Sequence, residues 1–575
     1  MKRLLCYLRD YRKEAICAPV FKILEASFEL CVPLVVAAMI DNGIPNADRP
    51  YLWKMCLIMV LLGVVGLTST LFAQFFAAKA ATGFSAKLRH AMMAHIQKLS
   101  YTDLDRIGTS TLITRMTSDV NQVQNGVNLA LRLLLRSPFI VFGAMIMAFT
   151  VDVKCALVFA AAIPLLSIVV FGIMLLTIPL YRKVQSQLDT VTDLTRENLT
   201  GFRVIRAFRK EADEIKRFCV QNEILMKMQN RVGSISALMN PLTYVILNGA
   251  VIALLYIGAL RVDSGILSQG QVVALYNYLS QILVELIKLA SLIITLTKTA
   301  ACANRIADML ETGGCTETEP DMPELSEKGT VVFENVSLTY EGAGDASLTG
   351  ISFSAKQGDV IGIIGGTGAG KSSLVNLIPR FYEPTSGTIR INGIDSRQFP
   401  KTELRARIGV VPQRAVLFKG TIRENLRWGN EHATDADFSE ALRIAQAADV
   451  VASKPLGLEE PISENGSNLS GGQRQRLTIA RALIRKPEIL ILDDSASALD
   501  YATDAALRKA LRSIPDQPTV FLVSQRTASI RFADQILVLD DGELADIGTH
   551  DELLARCPIY QEIHYSQFPK GGAGN

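Results

Sequence analysis

The 575-residue sequence predicts two fold classes in one chain: an all-α membrane domain of six spanning helices, then an α/β domain built on a phosphate loop. Three observations lead there. Long apolar runs fill the N-terminal half, each able to supply the roughly 20 helical residues that cross a hydrocarbon core. From Thr330 onward, short apolar strands alternate with charged helices, as in a sheet covered by helices. Within that region V-I-G-I-I-G leads into G-T-G-A-G-K-S-S and then L-V-N-L-I. Strand, glycine loop and helix stand in the order that phosphate binding requires.

Composition bounds the rest. A mean hydropathy of +0.26 averages over these unlike halves. A net charge of +3 is too small for this length to argue for nucleic acid. Basic residues crowd into 87–115 and 182–231 but are few in 41–50, 152–154 and 261–270, an asymmetry that orients a membrane protein. None of the nine cysteines is spaced as C-x-x-C, so reduced packing residues are expected rather than a zinc site or a disulfide frame. The first apolar run lacks a small-residue cleavage site and is expected to stay as an anchor.

Taken in order, Met1–Lys13 mixes basic, leucine and tyrosine residues and suits a short helix at the cytoplasmic interface. Spans follow near Ile16–Ile40, Trp53–Ala81, Val127–Thr150, Cys155–Leu180, Asn240–Leu260 and Val272–Thr297. Short turns join the first to the second, the third to the fourth and the fifth to the sixth. Long basic, largely helical stretches make the other two connections, which puts both termini in the cytosol. The membrane domain is therefore 1–303, and 304–329, rich in Gly, Pro and acidic residues, reads as a linker. The α/β domain runs over 330–568 and a tail over 569–575.

Charges inside the spans need a partner or water. Lys22, Glu25 and Glu29 share one helix face, as do Arg132 and Arg136, and so do Gln281, Glu285 and Lys288 with Tyr278 one turn before. Glu25, Glu29, Arg132, Arg136, Gln281 and Glu285 are the candidate lining of a polar cargo cavity. Ion pairing between helices is the competing reading.

In the α/β domain, Gly365, Gly366, Thr367, Gly368, Ala369 and Gly370 form a loop whose backbone N–H groups converge on phosphate oxygens. Lys371 is placed to reach the β- and γ-phosphates, Ser372 to ligate Mg²⁺, and Ser373 follows on the same turn. ATP and Mg²⁺ are the cofactors expected. I-L-I-L-D is a core strand whose closing Asp493 is a second metal-site carboxylate. In L-S-G-G-Q, Ser470, Gly471, Gly472 and Gln473 offer a hydroxyl, close backbone approach and a helix start, again suited to phosphate.

With these motifs together the chain resembles a half-transporter of the ATP-binding-cassette exporters, over nearly its whole length. The resemblance implies further roles. Tyr340 would stack on adenine, Gln413 would link the metal site to the membrane domain, and Asp500 would cross a dimer interface. Turns near 107–110 and 201–205 resemble coupling helices, which touch nucleotide domains in this family. The signature would complete the phosphate site of an opposing subunit. Two positions depart from the pattern: Asp494 stands where the family has a catalytic Glu, and Gln525 where it has a switch His. One methylene draws the carboxylate back by roughly an ångström, and glutamine cannot carry a proton as imidazole can.

The chain thus resembles the degenerate-site subunit of heterodimeric bacterial multidrug exporters. That implies a different half-transporter as partner, a bacterial plasma membrane, and a drug, peptide or lipid cargo. A nucleotide-binding membrane sensor, and an exporter-shaped importer of metal chelates, are the alternatives.

Overall fold

Among the described residues, six helical stretches of 40 to 53 residues carry apolar windows long enough to cross a membrane. The computed structural model describes residues 2–313, 328–495 and 497–568, so the tail and most of the expected linker lie outside the described residues. By contacts it divides into two units, 1–98 with 109–312, and 99–108 with 313–575.

The first unit contains α1 (Arg12–Ala38) and α2 (Arg49–Ile96), while α3 (Tyr101–Ile107) belongs to the second. Then come α4 (Thr109–Thr114), α5 (Val120–Leu133), α6 (Arg136–Val151), α7 (Val153–Thr200), α8 (Phe202–Ala207), α9 (Glu211–Ala237), α10 (Met239–Asp263) and α11 (Gln269–Glu311). At 1.5 Å per residue α2 and α7 are about 70 Å long, more than twice a hydrocarbon core. The basic connections are therefore largely continuations of the spans. Helix starts follow from capping: Asp48 accepts from Tyr51 N–H at 3.1 Å and Asp152 from Cys155 N–H at 2.9 Å, and Ser268 with Gln271 makes a capping box. The core joins Ala26, Leu30, Ile140, Phe159, Leu254 and Leu275 from five helices. Small residues permit the closest approaches: a Cβ on Gly126 would lie 2.0 Å from the Thr299 hydroxyl.

α11 runs to Glu311, past the expected linker start, because Ala303, Ile306 and Met309 keep one buried face and Arg305 pairs Asp119, Nε to Oδ2 at 2.9 Å. Residues Lys2–Tyr11 wind as a 3-10 helix before α1.

The second unit has β1 (Val331–Leu338), β2 (Leu348–Ala355), β3 (Val360–Gly365), β4 (Ser386–Ile391), β5 (Ile394–Asp395), β6 (Ile408–Val411), β7 (Gly420–Thr421), β8 (Pro461–Ile462), β9 (Ile489–Asp493), β10 (Thr519–Val523), β11 (Gln535–Asp540) and β12 (Glu543–Gly548). The main sheet, β12-β11-β3-β10-β9-β6, is parallel except for its β12 edge, and an antiparallel sheet has the order β2-β1-β4-β5. β7 and β8 form a short separate pair. β9 and β10 are buried along their whole length, which explains their unbroken apolar runs. β3, β9 and β10 are hydrogen-bonded neighbours, with Val523 opposite Asp493, so the chain leaves Gly365, Asp493 and Ser524 at one sheet edge. That edge, at the C-terminal ends of parallel strands, is where such sheets bind ligands.

Candidate nucleotide site

The phosphate loop closes between β3 and α12 (Lys371–Leu377). Gly370 sits at φ +86°, and a Cβ there would lie 2.7 Å from the Ser347 carbonyl oxygen. Gly366 and Gly368 face open space, leaving room for a phosphate chain. Lys371 is buried, and its ammonium donates to the Gly365 carbonyl at 3.0 Å. Burial holds its pKa below the usual lysine value, although Asp494 and Asp493 pull it back up. The Ser372 hydroxyl donates to Asp493 at 3.1 Å, so the two oxygens expected to share Mg²⁺ already converge. These residues fit MgATP.

Asp493 and Asp494 are both held above the ordinary carboxylate range, in each case mainly by burial. For Asp493 the neighbouring charge of Asp494 adds to this, while the Ser372 hydrogen bond and Lys371 oppose it. For Asp494 the polar side chain of Gln413 and the charges of Lys371 and Arg526 favour the ionised form. Asp494 also stands at φ +46°, its N–H bonded to the Val523 carbonyl at 3.1 Å. A carboxyl whose folded-state pKa is raised favours the fold as pH falls through that raised value, and its ionised form costs stability above it. Without nucleotide, Asp494→Asn is therefore expected to raise the melting midpoint by a few degrees in mildly alkaline buffer, with a smaller gain in acid. Thermal unfolding of the full-length chain at both pH values checks this; equal midpoints at alkaline pH would count against the buried-charge account.

Tyr340 donates to Ser373 at 3.0 Å and meets Tyr382 edge-on, ring centroids 5.0 Å apart. Tyr382 in turn donates to Asp105 on α3 at 2.6 Å, and Tyr101 stacks on Phe381 at 4.5 Å. Burial and the Asp105 carboxylate push the Tyr382 phenol above its usual value. A continuous aromatic path therefore runs from the expected adenine platform to the first coupling region. The sequence reading missed Tyr382 and Asp105; the only signal was the aromatic pair in R-F-Y-E after the phosphate-loop helix. Tyr382→Phe is expected to loosen α3 by roughly 1 kcal/mol, seen as faster hydrogen exchange over 101–107. Unchanged exchange there would remove the hydroxyl from the path.

At the signature, the Ser470 hydroxyl accepts from Gln473 N–H at 3.2 Å and the Gln473 side chain accepts from Ser470 N–H at 3.0 Å, a capping box starting the helix Gly471–Leu483. Ser470 and Gly471 are exposed, and a Cβ on Gly471 would touch nothing. Asp500 caps Tyr501–Arg512 by accepting from Thr503 N–H at 2.7 Å, a bond that lowers its pKa. Gln525 is exposed, and its carbonyl accepts from Gln567 at 2.7 Å.

In the membrane unit, Arg136 donates to Glu285 and to Glu29, each at 2.7 Å, with Glu25 at 3.8 Å. Lys22 binds Glu25 at 2.5 Å, and Ser137 and Lys288 both bind Glu285 at 2.8 Å. The charges thus form one ion network across α1, α6 and α11. A cavity of about 430 Å³ opens beside it, lined by Glu29, Gln281, Glu285 and Lys288 with Asn277 and Ser280. Glu25 and Arg136 stand behind it in the network, Arg132 lies outside the lining, and Tyr278 is buried with its hydroxyl on the Leu30 carbonyl at 2.7 Å.

Known proteins agree with this architecture. The ABC transporter transmembrane region matches residues 15–286, and the ABC transporter domain matches 348–497. The chain is 36% identical over 573 residues to the uncharacterized ABC transporter ATP-binding protein YfiB of Bacillus subtilis, covering 100% of both. It is 34% identical to the probable multidrug resistance ABC transporter ATP-binding/permease protein YheI of the same organism, over 85% of this chain and 84% of YheI. It is 30% identical to the ATP-dependent lipid A-core flippase of Syntrophus aciditrophicus, over 100% of this chain and 95% of the flippase. A bacterial Atm1-family ABC exporter with ATP bound shares the fold, with a TM-score of 0.81 at 24% identity over 98% of this chain and 99% of that one. The chain belongs to the ABC transporter family, with the architecture of an exporter-type half-transporter.

Proposed function

We propose that this chain is one half of a heterodimeric ATP-driven exporter of amphipathic compounds, in which it holds the slower ATP site and lends an intact signature to its partner's faster one. The observation that carries this is the pairing of a shortened acid at Asp494 and a glutamine at 525 with a complete L-S-G-G-Q whose Ser470 and Gly471 are exposed. Bound MgATP supplies the phosphoryl group whose transfer to water drives the cycle. Tyr340 would stack on the base, Lys371 would hold the phosphate chain, and Ser372, Gln413 and Asp493 would hold the metal. Asp494 would fall short of the water it must polarise, by roughly the ångström that one methylene spans. Gln525 offers a hydrogen bond but no proton relay.

The partner is a different half-transporter with Glu and His at these positions, in a bacterial plasma membrane, with both termini of this chain cytosolic. Its cargo carries a polar head and an apolar body. Val32, Pro33 and Val284 face the cavity alongside Glu29 and Lys288, and the names of YheI and the flippase point the same way. ATP turnover of the purified chain, alone and co-expressed with candidate partner halves, tests the proposal. The pair is expected to turn over at least about tenfold faster than the lone chain, and robust turnover by the lone chain would end the asymmetric reading.

A further inference from the structure

The loop that carries Gln525 leaves β10 at Ser524 and re-enters a short helix at Thr527–Ile530. The C-terminal helix Pro558–Gln567 reaches it with one side chain. The Gln567 amide donates to the Gln525 carbonyl at 2.7 Å, and its oxygen accepts from Thr527 N–H at 2.9 Å and from the Thr527 hydroxyl at 3.2 Å. One primary amide thus bonds the backbone on both sides of Arg526, as a neighbouring strand would. His564, one turn earlier, lies 3.3 Å from the same hydroxyl through Nδ1. The helix has little freedom to shift: Tyr560 is fully buried, and its hydroxyl is 2.7 Å from His550 Nδ1. The rings of His550 and His564 meet edge to face at 5.3 Å.

We infer that Gln567 is a positioning residue for the switch loop, and that the C-terminal helix is the splint that sets where Gln525 is presented to the nucleotide. The inference rests on Gln525 being the switch position, but not on the unequal turnover proposed above. Burial, with the charge of Arg531, holds both imidazoles below their ordinary pKa, and each histidine also feels its surroundings: His564 lowers His550 further while Asp551 raises it.

A switch residue that meets the γ-phosphate is felt by ATP and not by ADP. The test compares release of a non-hydrolysable fluorescent ATP analogue and of its ADP counterpart from the assembled transporter. Gln567→Ala in this chain is expected to speed release of the ATP analogue about tenfold, the factor for losing roughly one net hydrogen bond, and to leave ADP release unchanged. Gln567→Glu keeps the size and the acceptor for Thr527 but loses the donor to Gln525, so it should fall between. Hydrogen exchange at residues 525–527 should rise in the same order. Equal acceleration of both nucleotides would make the contact merely structural and overturn the inference. So would unchanged ATP-analogue release with either variant. Fast hydrolysis by this chain's own site would refute the unequal-site proposal and leave this comparison intact, because the analogue is not hydrolysed.

Discussion

Gly471→Asp in this chain is expected to cut ATP turnover of the assembled pair by about 10²-fold or more, while Lys371→Ala in the same chain leaves most of it. The first substitution puts a carboxylate where an exposed glycine has no neighbour to crowd, at the start of the helix whose N–H groups, on the proposal above, face the opposing subunit's phosphate. Removing or repelling such a stabilising contact costs about 10²–10³ in rate. The second strips the cation from the site whose acid is short and whose switch residue is glutamine, so little turnover is lost with it. Steady-state ATPase of the two variant pairs decides the matter. If Lys371→Ala proves the more damaging, the assignment of fast and slow sites is reversed. On the proposed assignment, Asp494→Glu combined with Gln525→His in this chain should raise turnover of the pair above that of wild type. No change there, together with no effect of removing the partner's glutamate, would leave the asymmetric scheme without support.

Arg136→Met has the second large effect, and it falls on the fold. Arg136 is buried, yet it holds Glu285 and Glu29 from two other helices. Removing it leaves Glu29 without a counter-charge and Glu285 with Lys288 alone, at a cost toward the lower end of about 3–5 kcal/mol because Glu29 is half-exposed. Unfolding in detergent should show a markedly lower midpoint. Adding Glu29→Gln to Arg136→Met should recover much of the loss, since the remaining Lys22–Glu25 and Lys288–Glu285 pairs are neutral together. A single variant as stable as wild type would show that water already screens the cluster. The same comparison separates structure from cargo handling: a rescued double variant with lost transport places the cargo against Glu29, at the cavity wall.

The parts legible in sequence are those set by local rules. The phosphate loop, the strand ending at Asp493 and the six apolar spans each announce themselves through spacing or length, and the structure has all of them. Span ends were harder to read. α2 and α7 continue far beyond their apolar windows, because a sparse buried face of Phe84, Leu88 and Met92 in one, and Val191 and Leu194 in the other, is enough to hold a polar helix in place. α11 passes Asn304 on three buried residues spaced one turn apart, a pattern masked by the acidic and glycine residues that follow. Contacts between distant residues left no trace in the linear pattern. Asp105 meets Tyr382 across 277 positions, and Gln567 meets Gln525 across 42. Nothing periodic marks either pair. The candidate charges were found by their cost in lipid, but which of them face a cavity and which face one another depends on helix rotation, which spacing alone leaves open.

Asp494 stands with a left-handed backbone, a geometry that disfavours most L-residues by about 1–2 kcal/mol and is most readily adopted by glycine, asparagine and aspartate. At this one position the turn and the chemistry pull in opposite directions: the shorter acid suits the bend, and the longer one suits the water. Lengthening that side chain to regain speed asks the loop to hold a less comfortable residue, so any gain in rate there should come with a slightly softer loop.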